Sequence, residues 1–316
     1  MSNKFESLLN DSPFVLTEGA IGERLKHEYG VVFDEHIIQA GLIYDAQEAF
    51  RTLYTEYIDI AQACDLPIML MTPTRKVNTE TLKKSVYYGR DIVQDCCALL
   101  QDVKATYKEY SKNIFLGGVL GCKGNAYIGN DALSQEDAYD FHRPQVTQFR
   151  EQGLDFLFAA IIPAVSEAVG MASAMAEAEL PYIISFMIRK TGRLLDGTPL
   201  SEAIQIVDST VHPRPLCYMT NCVHPSNLKQ ALMQPINKQS PNLSRFIGLQ
   251  ANASSLSPEE LDQSKILQQG DFDDMVQEML KLYQEFGIKI MGGCCGTDNR
   301  FLDLLAQAYV SMAVSE

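Results

Sequence analysis

Short, continuous apolar runs recur along this chain, separated by stretches that carry apolar residues at helical spacing. The runs are Phe14–Leu16, Leu66–Met71, Ile114–Leu120, Phe156–Ile162, Tyr182–Ile188, Leu216–Thr220, Phe246–Asn252 and Ile288–Gly292. Each is shorter than an ordinary helix and reads as a strand buried on both faces. The stretches between them predict helices over roughly His36–Cys64, Thr79–Tyr107 (with Thr79 as N-cap), Ser134–Gln152, Ser166–Glu179, Leu200–Ser209 and from Asp298 onward. Strands that alternate with helices define a βα chain with a parallel sheet. Eight such units in 316 residues fit an α/β protein built as a single (β/α)8 TIM barrel, one domain over residues 1–316. The alternative is an open doubly wound sheet with Gly-rich loops.

Charge and termini narrow the partners. A net charge of -14 argues against nucleic acid or an anionic membrane and is compatible with a cationic small molecule. Residues Met1–Asp11 are polar and lack the charged-then-apolar pattern of a signal peptide. No run approaches the ~18 apolar residues of a membrane span. Eight cysteines without an export signal point to a reducing, cytoplasmic setting, where thiols serve as core residues, metal ligands or nucleophiles rather than disulfides. Oligomeric state is left open.

Three of those cysteines stand where a barrel does its chemistry, at the C-terminal ends of strands. Cys222 follows the sixth predicted strand in Thr220-Asn221-Cys222-Val223-His224-Pro225, and Cys294 and Cys295 follow the eighth in Met291-Gly292-Gly293-Cys294-Cys295-Gly296-Thr297. Only one strand separates the sixth from the eighth, so the two ends can face one another across the mouth. Three thiolates with bonds of about 2.3 Å and one free tetrahedral position match a catalytic zinc site, since structural sites are closed. The other reading is a packed thiol pair in a Gly turn. His224 is a further candidate ligand, although Pro225 after it suggests a loop that opens the next helix. Cys64, Cys96, Cys97, Cys122 and Cys217 lie on or beside helical and strand runs and read as small buried apolar residues.

Thr220–Pro225 together with Gly292–Gly296 resembles the paired signature of the homocysteine S-methyltransferase family, zinc barrels with betaine-, S-methylmethionine- and folate-dependent members. The likeness extends over nearly the whole chain: Leu16–Leu25 resembles the family's opening Asp-Gly-Gly loop and following helix, Asp155–Ala168 its strand-four segment, and Phe246–Ala253 its strand-seven segment. The resemblance implies a zinc-dependent S-methyltransferase. It would carry a methyl group from a small sulfonium or ammonium donor to a thiol, homocysteine by default, giving methionine. It implies Zn2+ held by Cys222, Cys294 and Cys295, with Asn221 supporting the ligands, and a substrate site that includes Glu18, Gly19, Asn221 and Asn252. The length leaves no room for a folate- or cobalamin-binding module beside a complete barrel, so a small free donor is expected.

The chain also departs from that pattern. Glu18-Gly19-Ala20 replaces the opening Asp-Gly-Gly, Ala160 stands where a strand-four glutamate is expected, and Gln250-Ala251-Asn252 retains only Asn252 of a Tyr-Pro-Asn. In the family the acids resemble a cradle for the amino group of homocysteine, so Ala160 raises a second reading, a different small thiol as acceptor. A third reading is a non-catalytic zinc-binding barrel. Elsewhere, Gly117-Gly118 with Gly121 and Gly124 lacks any phosphate-loop ending and reads as a loop over the barrel mouth. His142 and Arg143 sit in a helical pattern and are expected as surface or interface residues rather than catalysts, and Glu167 in the first turn of a helix, where its charge suits the helix dipole.

Overall fold

In a computed structural model that describes residues 4–263 and 270–315, eight parallel strands close into one barrel in chain order. They are β1 (Val15–Thr17), β2 (Ile68–Met71), β3 (Ile114–Gly121), β4 (Phe156–Ile162), β5 (Tyr182–Phe186), β6 (Cys217–Val223), β7 (Phe246–Ala251) and β8 (Ile290–Gly293). The strands are buried almost throughout, which is why they read as unbroken apolar runs instead of alternating ones. β8 returns to pair with β1 through Val15↔Ile290 and Leu16↔Met291, leaving no sheet edge. Among the described residues, no helix is long and apolar enough to cross a membrane.

The end of the barrel opposite the strand C-termini is closed by a helix at Lys4–Asp11, within the stretch that reads as polar in sequence. Its Phe5 is fully buried, stacks on Phe156 at the start of β4 with ring centroids 4.3 Å apart, and lies 5.5 Å from Phe115. Lys289, just before β8, donates its ammonium protons to Leu9 O and Ser12 O and ties this helix down. Chemistry is thereby confined to the other end.

The predicted helices are present with two interruptions. The His36–Cys64 stretch breaks at Ala46 (φ -139°, ψ 38°), so that the long helix is Gln47–Ala63. The Thr79–Tyr107 stretch splits into Thr79–Lys84 and Ile92–Ala105, with Gly89 at φ 91° in the connection. The N-cap there is Asn78, not Thr79: its side chain accepts from Glu80 N and Thr81 N, and Thr81 Oγ1 accepts from Asn78 N in return.

His142 corrects a second expectation. It lies on the helix Gln135–Arg150 but is 1% exposed, and its Nε2 is 3.2 Å from Oε1 of the fully buried Glu167 on the helix Val165–Ala176. Arg143 is exposed as expected. The two helices touch because position 170 is glycine: a Cβ there would lie 2.2 Å from Gln135 O. Close approach buries polar residues that an isolated helix would show to water. Glu167 is in the first turn of its helix, as expected, and also accepts from Lys123 N at 2.8 Å.

Candidate functional site

Two strands of the barrel end irregularly, and the irregularity aims the chemistry. The β4–β5 register shifts between Ala159 and Ile162, and the β6–β7 register shifts between Asn221 and Val223. The extra residues, Ile161 (φ 49°) and Cys222 (φ 62°), adopt left-handed backbone that non-glycine residues rarely take. Such positions cost on the order of 1–3 kcal/mol each and persist only where surrounding contacts impose them. Asn221 supplies those contacts. Its Oδ1 accepts from Ile161 N at 3.1 Å and from Ser185 Oγ at 2.5 Å, joining the ends of β4, β5 and β6. Cys222 is thus the penultimate residue of β6 itself; the sequence expectation had it in the loop beyond.

The vicinal cysteines are fixed from the β7–β8–β1 side. Cys294 N donates to Ala251 O, Gly293 N to Glu18 O, and Ala253 N to Cys295 O, at 2.7–3.1 Å. Thr297 Oγ1 closes the turn by donating to Cys294 O at 2.7 Å. The paired glycines follow from crowding: a Cβ at Gly292 would lie 2.0 Å from Thr17 Oγ1, and one at Gly293 2.1 Å from Thr297 Oγ1. Gly296 completes the turn at φ 80°.

From these two scaffolds three sulfurs converge. Cys222 Sγ lies 2.7 Å from Cys294 Sγ and 3.4 Å from Cys295 Sγ, and the vicinal pair are 3.9 Å apart. None is bonded to another. Tyr127, in the loop after β3, donates its hydroxyl proton to Cys222 Sγ at 3.2 Å. The hydrogen bonds shared with Cys294 and Cys295 hold the Cys222 pKa well below the usual thiol value and push those of Cys294 and Cys295 well above it. Three sulfurs this close cannot all ionise without a cation among them. Tetrahedral bonds of about 2.3 Å place thiolates about 3.8 Å apart, so the set suits zinc once Cys222 and Cys294 separate by about 1 Å. Among the described residues, this is the one group of three such side chains placed to share a metal.

The sulfurs form one wall of a cavity of about 260 Å³ in the barrel mouth. Of the expected substrate residues, Glu18, Gly19 and Asn221 line it, and Asn252 does not. Asn252 Oδ1 instead accepts from Ser254 N at 2.8 Å, an internal turn bond. Gln250 lines the cavity from the same strand, its Nε2 donating to Thr17 Oγ1 at 3.2 Å. Glu18 is nearly fully buried, and Oε2 accepts from Met71 N at 3.0 Å. Burial raises its pKa well above the usual carboxyl value, and no basic side chain among the described residues pairs with it. His224 stands apart from the sulfurs as the N-cap of the helix Pro225–Met233, its Nδ1 accepting from Ser226 N. Cys96, Cys97, Cys122 and Cys217 are buried as expected, and Cys64 is partly buried.

A model of the family described as homocysteine S-methyltransferase matches residues 15–309, nearly the whole barrel. The chain belongs to the homocysteine S-methyltransferase family. It is 21% identical over 309 residues to the homocysteine S-methyltransferase YbgG of Bacillus subtilis, covering 93% of this chain and 94% of that protein. It is 22% identical over 308 residues to the homocysteine S-methyltransferase of Escherichia coli, covering 94% and 95%. The fold matches the metallated form of the homocysteine methyltransferase MmuM from Escherichia coli with a TM-score of 0.73 at 18% identity, over 97% of this chain and all of that one. The protein is therefore a methyltransferase-family enzyme on a TIM barrel, with a cysteine triad suited to zinc at its mouth.

Tyr127 and Arg75 are among the cavity residues that sequence reasoning missed. Tyr127 is a lone aromatic in a polar loop with no periodicity to mark it; the loop's place over the mouth was the only signal. Arg75, also on the cavity wall, follows the Thr72-Pro73 that ends β2. A basic residue just past a strand's C-terminal end in a barrel is a position to examine.

Proposed function

We propose that the protein transfers a methyl group from a small cationic donor, a sulfonium or quaternary ammonium, to a thiol held against Cys222, Cys294 and Cys295, with homocysteine as the default acceptor and methionine as product. The convergence of three unbonded sulfurs on one point of the cavity carries this reading, supported by the family match and by likeness to a barrel described as metallated. When bound by these three residues, zinc would strip the proton from an acceptor thiol at neutral pH, where a free thiol is mostly protonated.

The chain's own groups do the rest. Asn221 locks the two left-handed positions that aim Cys222, so the ligand set is held before substrate arrives. Tyr127 holds its proton on the phenol, through burial first, and points it at Cys222 Sγ. Glu18 offers a buried carboxyl to the acceptor's ammonium, whose charge would draw the carboxyl back to its ionised form. The aromatic and aliphatic wall, including Phe33, Ile38 and Phe158, excludes water from the reacting sulfur. The cationic donor loses its charge as the methyl leaves, so water exclusion favours that step.

Ala160 supports the second reading, a small thiol other than homocysteine. It lines the cavity with a methyl where a second carboxylate is expected from the family pattern. The test is methyl transfer by zinc-loaded protein, with S-methylmethionine or betaine as donor and homocysteine or another small thiol as acceptor. Turnover to methionine is the expected result. Metal bound with no methylation of any thiol would overturn the proposal.

A further inference from the structure

Arg75 is the one basic residue among the described residues lining the cavity. Among the described residues it has no hydrogen-bond or ion-pair partner, although it is half-buried. Elsewhere in the molecule comparable arginines are matched: Arg24 with Glu28 and Glu56, Arg189 with Glu259. The fixed fork of donors of an unmatched guanidinium inside a cavity suits a planar anion.

The surrounding structure holds Arg75 in place. Thr72 N donates to Gly117 O, and Thr74 Oγ1 to Val119 O at 2.8 Å. On the other side Lys76 is turned away, its ammonium donating to Gly124 O at 2.6 Å and Cys122 O at 3.2 Å. Arg75 itself lies over the last residue of β3. A Cβ at Gly121 would come within 2.5 Å of Arg75 O and 2.6 Å of its Cγ, so the glycine makes room for it. Gly121 pairs in register with Ala160 on β4, whose short side chain leaves the neighbouring wall open. Met71, which anchors the Glu18 carboxyl, is only four residues before Arg75. A carboxyl and a guanidinium therefore flank the mouth at β1–β2, while the sulfurs lie at the end of β6 and in the turn after β8.

We infer that Arg75 binds the carboxylate of the acceptor, so that the preferred acceptor is a small thiol with an anionic head, and an α-amino acid when Glu18 takes its ammonium. This rests on the reading of the cavity as the acceptor site. The ligand whose sulfur reaches the cysteines is the inner one, beside the buried Glu18, which is why the acceptor is assigned to Arg75 and not the donor.

The test is calorimetric binding, without donor, of three thiols to zinc-loaded protein: homocysteine, 4-mercaptobutanoate (no ammonium) and 3-mercaptopropylamine (no carboxylate). Arg75→Met should weaken the first two about 10- to 100-fold, as loss of a charge-assisted bidentate contact does. It should leave 3-mercaptopropylamine unchanged, and Arg75→Lys should fall between. Retained affinity for 3-mercaptopropylamine also shows the variant to be folded. Equal weakening of all three, weakening of none, or a wild type that binds none of them would overturn the inference. The expected pattern without methyl transfer would leave Arg75's role standing and overturn the proposed function instead. Transfer to a thiol outside this set, with none of the three bound, would do the reverse.

Discussion

Replacing Asn221 by Ala tests whether the site is built on the two left-handed strand ends. The lost Oδ1 is the acceptor for Ile161 N and Ser185 Oγ, and those residues are 3% and 0% exposed. A buried donor left unpaired costs about 1–3 kcal/mol. The Ser185 hydroxyl can rotate toward another acceptor, whereas the Ile161 N–H is fixed by its backbone, so the expected loss is about 2–4 kcal/mol. For a chain of this size that lowers the melting temperature by roughly 3–6 °C. Melting in chelator separates this loss from loss of metal. Ser185→Ala is the control: it removes one donor, orphans nothing on Asn221, and should cost only about 1 kcal/mol. In a zinc competition titration Asn221→Ala should bind metal about 10- to 100-fold more weakly, the usual effect of removing a group that orients a ligand. If Asn221→Ala and Ser185→Ala melt together in chelator, the bulges do not depend on this oxygen and the reasoning fails.

Other perturbations have equally definite outcomes. Cys294→Ala should remove metal and activity together, read by zinc content and methyl transfer; full zinc occupancy would contradict the ligand assignment. Glu18→Gln has a pH signature. Burial raises the Glu18 pKa, so between the unfolded value near 4.5 and the higher folded one the native state holds a proton that the unfolded chain has lost, and stability falls as pH rises. Ligand-free Glu18→Gln should therefore gain melting temperature over wild type more at pH 8 than at pH 5, while binding homocysteine less well; a gain independent of pH would count against it. Gly292→Ala forces a methyl to within 2.0 Å of Thr17 Oγ1 and should lower stability by about 1–3 kcal/mol or more in denaturant unfolding.

Much of the barrel was legible in the sequence because its strands are buried on both faces: Phe156–Ile162 was placed to the residue, and Tyr182, Leu200 and Phe246 were correctly taken as first residues of their elements. The sulfur triad was legible for a related reason. Barrel topology makes β6 and β8 ends near neighbours whatever their separation in sequence. What escaped was set by tertiary contact. Apolar periodicity does not register a single left-handed residue, so Cys222 was placed beyond β6 when it belongs to the strand. His142 reads as surface because its helix is polar, and only the close packing at Gly170 buries it against Glu167. Asn252 matched a motif, but β7 ends at Ala251, so Gln250 stays on the cavity wall while Asn252, one residue past the strand, turns into its own loop. The helix at Lys4–Asp11 escaped because only Phe5 and Leu9 of it are buried, too few for an apolar pattern to show.

X-ray absorption at the zinc edge, on protein loaded with one equivalent of the metal, addresses the centre most directly. The expected spectrum fits three sulfurs at about 2.3 Å and one lighter atom, with a fourth sulfur appearing when homocysteine is added. A first coordination sphere with two sulfurs or fewer, or one whose sulfur count requires no contribution from Cys222 when that residue is changed to Ala, would contradict a three-thiolate site.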